Sequence, residues 1–143
     1  VGDATTRRQA VARALDAGFI FDPIIHPSAI VSAHASLARG AYVAAGAVIG
    51  PGATIGEFAI VNSSAIVDHD CAVGAFAHVA PGAVLAGTVT VGDDAHVGAG
   101  AAVIQGRTIG AIAIVGAGSV VTKDVPDGET WFGNPARARQ VHA

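Results

Sequence analysis

Methionine is absent from this 143-residue chain, even at position 1, and cysteine occurs once, as Cys71. The first absence points to numbering that begins inside a longer gene product or after processing. The second excludes an internal disulfide framework and fits a reducing cytoplasm. Aromatic residues make up only 5% of a sequence that is 52% hydrophobic, so any core must be built from small and branched aliphatics. No apolar run approaches the roughly 20 residues that a membrane-spanning helix requires, and no signal peptide is visible. The net charge of −3 leaves no basic footprint for nucleic acid. Prolines are few, six against nineteen glycines, which excludes a collagen-like or disordered chain. The length suits one domain with a substantial core.

What is abundant is arranged with a period of six. Counting from Ile25 gives Ile25, Val31, Leu37, Val43, Ile49, Ile55, Val61 and so on to Val121, and every position is Ile, Leu or Val without one insertion. Four places after each lies a second column, from Ala29 to Val125, and all but five of its members are alanine. Glycine follows the branched residue at 50, 56, 74, 92, 98, 110 and 116. A period of six fits neither a helix at 3.6 nor an amphipathic strand at 2. It predicts short strands joined by tight turns, with first and fifth positions pointing inward and glycine serving the turns. Three hexads then close a triangular coil, and successive coils stack at about 4.8 Å.

Two flanking pieces fall outside the period. Residues 1–19 read as a strand end, a Thr or Asp cap, an alanine-rich helix and Gly18 as its stop. Residues 126–143 break the register with Pro126 and Gly128, which predicts a short tail folding back on the last coils. The domain reading is therefore 1–24, 25–125 and 126–143.

The ionisable residues concentrate in "VDHDCAVGAFAH", residues 67–78. A coil of three hexads places His78 and His96 in one column, and His69 beside Gly87 one coil later. His69 holds the third position of its hexad, expected in mid-strand and facing outward, whereas His78 holds the sixth, beside a corner. His69 is the candidate general base, because an imidazole titrates near neutral pH. Asp68 and Asp70 could hold its tautomer. Against this stand a simple solvated surface histidine and a zinc site of the kind found in hexapeptide-repeat carbonic anhydrases. The spacings of 9 and 18 among His69, His78 and His96 lack the close histidine pair of those enzymes, so no metal is assigned. Cys71 lies in the inward column and reads as a core atom. A further rival is a purely structural or ice-binding solenoid, but Thr54, Thr88, Thr90, Thr108 and Thr122 form no unbroken column.

From about residue 24 to 139 the chain resembles the bacterial sugar acetyltransferases of the hexapeptide-repeat family. The residues that carry the resemblance are "NSSAIVDHDCAVG" (62–74), "HVAPGAVLAGTVTVG" (78–92), "VGAGAAVIQGRTIG" (97–110), "IVGAGSVVTKDVPD" (114–127) and "GNPAR" (133–137). The last two are common to many hexapeptide acetyltransferases. The ungapped run from "HDC" through "LAG" to "VIQG" narrows it to nucleotide-linked 4-amino-sugar N-acetyltransferases and sialic acid O-acetyltransferases.

The resemblance implies a left-handed parallel β-helix, all-β apart from a short N-terminal helix. It also implies that residues 1–24 are the remnant of an α/β domain that binds nucleotide-sugar. It makes His69 the proton acceptor, Asp70 the carboxylate that raises its basicity, and Gly87 a backbone N–H donor to the acetyl carbonyl. His78 would touch acetyl-CoA near the thioester. Gly98, Ala99, Gly116 and Ala117 would line the pantetheine arm, and Asn62 would lie near the acceptor sugar. Relatives often have glutamate where this chain has Asp70, which shortens the reach by one methylene. The implied co-substrate is acetyl-CoA without a metal. The implied assembly is a cytoplasmic homotrimer whose subunits share each cofactor groove.

Overall fold

The computed structural model describes residues 2–139; residue 1 and residues 140–143, with the last part of the expected tail, lie outside the described residues. Seventeen two-residue strands recur at every hexad from Ile24–Ile25 to Val120–Val121. Each strand pairs in parallel with its counterpart one coil later, as in Ile60 with His78 and His78 with His96. The result is a parallel β-solenoid of about six turns. Its three faces are parallel sheets. The first contains the strands at Ile24–Ile25, Tyr42–Val43, Ile60–Val61, His78–Val79, His96–Val97 and Ile114–Val115. The second contains Ile30–Val31, Val48–Ile49, Ile66–Val67, Val84–Leu85, Ala102–Val103 and Val120–Val121. The third contains Ser36–Leu37, Thr54–Ile55, Ala72–Val73, Thr90–Val91 and Thr108–Ile109.

The inward columns are the expected ones. Ile49, Leu85 and Ile109 of the branched column, and Ala47, Ala65 and Ala83 of the small one, are fully buried. Cys71 is buried among them, and its Sγ donates to the Ala86 carbonyl at 3.1 Å. Small fifth-position side chains let three strands converge on an axis too narrow for three large ones.

The phase of the strands differs from the sequence expectation. Each strand is the sixth residue of one hexad and the first of the next, because the coil-to-coil ladder is donated by the N–H groups of positions six and two. His69 therefore sits on a turn rather than in mid-strand, and His78 sits in a strand rather than beside a corner. The left-handed turn residue is the fourth of each hexad. From residue 40 to 118 every fourth position has positive φ; seven are glycine and seven are not, including Phe58, Asp70 and Phe76. The glycine at position two has another role. A Cβ on Gly56 would lie 2.7 Å from Ala75 N, and one on Gly98 would lie 2.6 Å from Ala117 N, so these glycines permit the coils to stack.

The helix Ala4–Asp16 is capped by Asp3, whose Oδ2 accepts from the Thr6 N–H at 2.7 Å. It ends in Gly18 at φ 84, where the N–H groups of Gly18 and Phe19 return to the carbonyls of Leu15 and Ala14. This helix lies over the corner between the third and first sheets. There Phe58 and Phe76 stack with ring centroids 5.2 Å apart, and Phe21 meets Phe58 edge-on. Arg8 lies 4.0 Å from the Phe76 ring centroid and pairs with Asp94 at 2.7 Å. At the far end, Thr130–Gly133 adds in parallel to the first sheet, and Ala136–Ala138 turns back against it. Among the described residues, no helix is long and apolar enough to cross a membrane.

The three outward faces differ. The second sheet presents Ile30, Val48, Ile66, Val84, Ala102 and Val120, an unbroken aliphatic column. The third presents Ser36, Thr54, Ala72, Thr90 and Thr108, a hydroxyl column that only Ala72 interrupts. Three of the five threonines thus do share a column, more regular than their spacing in the sequence suggests.

Candidate functional site

His69 is carried on the corner between the second and third sheets, in the turn after Ile66–Val67. Asp68 Oδ1 accepts the His69 N–H at 2.7 Å and braces the turn. Asp70 takes the left-handed position at φ 57, which aspartate tolerates better than most residues. That conformation brings Asp70 Oδ2 to 2.9 Å from His69 Nδ1. A carboxylate can only accept, so Nδ1 carries the proton and Nε2 keeps its lone pair. The hydrogen bond to Asp70 raises the His69 pKa above its ordinary value; the charges of Asp68 and Asp70 act in the same direction. The ring is about half exposed.

The next coil comes up against that lone pair. A Cβ on Gly87 would lie 2.4 Å from His69 Nε2, so only a glycine leaves the imidazole its place. The Gly87 N–H makes no hydrogen bond among the described residues, while its carbonyl accepts from Gly106 N–H and Thr88 Oγ1. A basic nitrogen and a free backbone donor thus stand side by side on one corner.

His78 has an opposite environment. It lies on the first sheet, 9% exposed, with the His96 ring edge-on at 4.9 Å between centroids. Asn62 Oδ1 accepts the Ser63 N–H at 2.8 Å, which orients the amide so that Nδ2 donates to His78 Nε2 at 3.1 Å. The His78 proton therefore belongs on Nδ1, which is shielded from solvent without a hydrogen-bond partner of good geometry; Gly2 packs over this side of the ring. Burial, with His96 and Arg7 nearby, pushes the His78 pKa down to about 4. The pKa of His96 is lowered by burial and by Arg7. A cavity of about 590 Å³ opens here, lined by Thr5, Arg8, His78, Asp94, His96 and Ile114 among others.

Ala99 and Ala117 occupy equivalent places on successive coils at the corner between the first and second sheets, with Gly98 and Gly116 beside them. Both alanines are exposed, and neither N–H is bonded among the described residues. Asn62 lies on this same corner, where it serves His78. Within one chain the candidate residues fall into two groups. His69, Asp70 and Gly87 share one corner; His78, Asn62, Ala99 and Ala117 lie on the first sheet and the other edge of the second. The contact of Asn62 with His78 was not legible in the sequence, since their separation falls short of one full coil. Arg7, whose charge acts on both His78 and His96, was also missed. Among the described residues no group of three or more His, Cys, Asp or Glu side chains is placed to hold a metal.

In class the chain is a parallel β-solenoid whose hexad turns present a histidine–carboxylate pair beside an unbonded glycine N–H. Comparison with solved structures narrows this. The acetyltransferase domain of PglB from Neisseria gonorrhoeae matches at 42% identity and a TM-score of 0.94, over 97% of this chain and 68% of that one. PerB from Caulobacter crescentus, solved with CoA and GDP-perosamine, matches at 46% identity and a TM-score of 0.95, over 98% and 68% of the two chains. WeeI from Acinetobacter baumannii matches at 31% and 0.79, over 97% and 68%. No protein-family model matches the chain, and no curated protein sequence matches it significantly. With relatives this similar over nearly its whole length, the chain belongs to the hexapeptide-repeat sugar acetyltransferases. It is an acetyltransferase.

Proposed function

We propose that the protein transfers the acetyl group of acetyl-CoA to the amine of a nucleotide-linked amino-sugar in the cytoplasm, for surface glycan or glycoprotein synthesis. Two relatives support the reading: the PglB domain, solved with acetyl-CoA, supports the donor, and GDP-perosamine N-acetyltransferase, solved with CoA and GDP-perosamine, supports the acceptor class. The observation that carries the mechanism is the His69 Nε2 lone pair set against Gly87, with Nδ1 tied to Asp70.

His69 Nε2 accepts a proton from the sugar amine as the nitrogen bonds to the thioester carbonyl carbon. Asp70 stabilises the imidazolium that results. The Gly87 N–H faces the oxygen that becomes negative; losing one such donor typically costs about 2.7–4 kcal/mol. When the tetrahedral intermediate collapses, the carbon–sulfur bond breaks and the proton on Nε2 is available to the departing CoA thiolate. A positioned base contributes about 10²–10⁴-fold.

The two groups of site residues lie a sheet-width apart in one chain, so a complete site requires a second copy. The aliphatic outer column of the second sheet, with Ile30 67%, Ile66 37% and Val84 36% exposed, suits burial between subunits. A homotrimer would then join the His69 corner of one subunit to the His78, Ala99 and Ala117 surface of its neighbour. The hydroxyl-bearing third sheet would face water.

The test is release of CoA thiol from acetyl-CoA with a panel of nucleotide amino-sugars, sialic acid and unmodified sugars. Turnover confined to amino-sugars supports the proposal. Turnover confined to sialic acid or another hydroxyl acceptor would replace it with O-acetylation.

A further inference from the structure

Arg7 is buried at the junction between the N-terminal helix and the coils. Its Nε donates to the Phe58 carbonyl at 3.1 Å, and Nη2 donates to the Phe76 carbonyl. These two carbonyls belong to left-handed turn residues of successive coils and accept nothing from the coil-to-coil ladder among the described residues. A further arm, Nη1, donates to the Gly2 carbonyl at 3.1 Å. Gly2 is also the residue that packs on His78: a Cβ there would lie 3.3 Å from His78 Cε1 and 3.4 Å from Nδ1. One planar fork therefore ties two coils to the segment that covers the imidazole.

We propose that Arg7 is a positioning residue, which holds Gly2 over His78 and so fixes the depth at which that ring is buried between Asn62 and His96. That the ring so positioned serves acetyl-CoA rests on the functional reading above. Burying a guanidinium is costly, and the carbonyls of Phe58, Phe76 and Gly2 accept from its N–H groups. Asp94 and Asp3, whose charges act on Arg7, are also engaged by Arg8 and by the Thr6 N–H. The field of Arg7 reaches His78 and His96 and opposes their protonation. Among the described residues, the groups that face His78 are Arg7 from the helix, His96 from the next strand and Asn62 from the preceding turn. Arg8, Asp3 and Asp94 stand around the same cavity. Position and charge act together: the segment held by the clamp covers the ring, burial is the main cause of its neutrality, and the charges of His96 and Arg7 add to it. A neutral Nε2 can accept from Asn62, whereas an imidazolium cannot.

The experiment is an NMR titration of the His78 and His96 ring signals in the full chain, comparing wild type with Arg7→Ala and Arg7→Lys, alongside acetyl-CoA KM at pH 6 and pH 8. Arg7→Ala should raise the His78 titration midpoint by at least about one pH unit. Arg7→Lys, which keeps the charge but cannot span all three carbonyls, should give a smaller rise and remains informative if the alanine variant does not fold. KM for acetyl-CoA should rise about tenfold at pH 6 and return toward wild type at pH 8, with kcat changed less. A merely structural loss would have no such pH dependence. An unshifted His78 midpoint in both variants overturns the proposal. A shifted midpoint with unchanged KM supports the clamp and instead removes His78 from the acetyl-CoA site.

Discussion

His69 Nε2 and the Cα of Gly87, one coil apart in the solenoid, face each other so closely that a methyl group on residue 87 would lie 2.4 Å from the nitrogen. The obstacle is the end of a half-exposed side chain, which can swing away at little cost. Gly87→Ala should therefore fold normally, with Tm within about 2 °C of wild type, yet lose activity by about 10²-fold as the base is displaced. Gly56→Ala should do the opposite, because its Cβ would meet the backbone of Gly74 and Ala75 at 2.7 Å. Overpacking between coils costs about 1–3 kcal/mol. Parallel thermal melts and kcat measurements separate the two; equal loss of stability would place Gly87 in the scaffold only.

Asp70→Asn keeps a residue that tolerates the left-handed turn but removes the charge-assisted acceptor of His69. Only neutral His69 can accept a proton, so activity falls as pH drops through its pKa. Asp70 raises that pKa, and the variant's acid limb should accordingly move to lower pH, with a lower plateau because the base is weaker. A pH–kcat profile checks the direction. An acid limb that moves to higher pH contradicts the assigned pair.

His78 makes the fold sensitive to acid. Its folded pKa of about 4 lies below that of an unfolded histidine, near 6.5. Between these values the unfolded chain binds a proton that the folded chain refuses, so stability is full above about pH 6.5 and falls toward pH 4. The loss is on the order of 3 kcal/mol. His78→Asn should flatten this part of the Tm–pH curve, and an unchanged slope would mean that other groups cause it.

The hexad period made the fold legible because its signal is redundant: one inward branched residue and one small inward residue recur in hexad after hexad, and no competing structure satisfies both columns. His69 beside Gly87 was legible for the same reason, since the two lie one full coil apart. The phase of the turns was not. Glycine occurs at both position two and position four, for stacking clearance in one case and positive φ in the other, and residue identity alone does not separate them. Phe58 and Phe76 hide the left-handed column further, because bulky residues there are sustained by ring stacking and by the helix. Arg7 gave no signal, as it belongs to no repeat and the partners described above are main-chain carbonyls.

The proposed assembly is open to a direct check. Light scattering at micromolar concentration should give the mass of three chains, and Ile66→Glu with Val84→Glu should dissociate it by charging the aliphatic column of the second sheet. Acetylation should be lost on dissociation, because no single chain brings His69 and His78 together. A monomeric wild type that turns over at full rate would contradict the shared site.

The most direct measurement is single-site kinetics on His69→Ala with acetyl-CoA and the best nucleotide amino-sugar. If His69 is the general base, kcat falls by about 10²–10⁴-fold while acetyl-CoA affinity stays nearly unchanged. If the variant keeps more than about a tenth of wild-type kcat, His69 only orients the acceptor, and general-base catalysis at this corner is wrong.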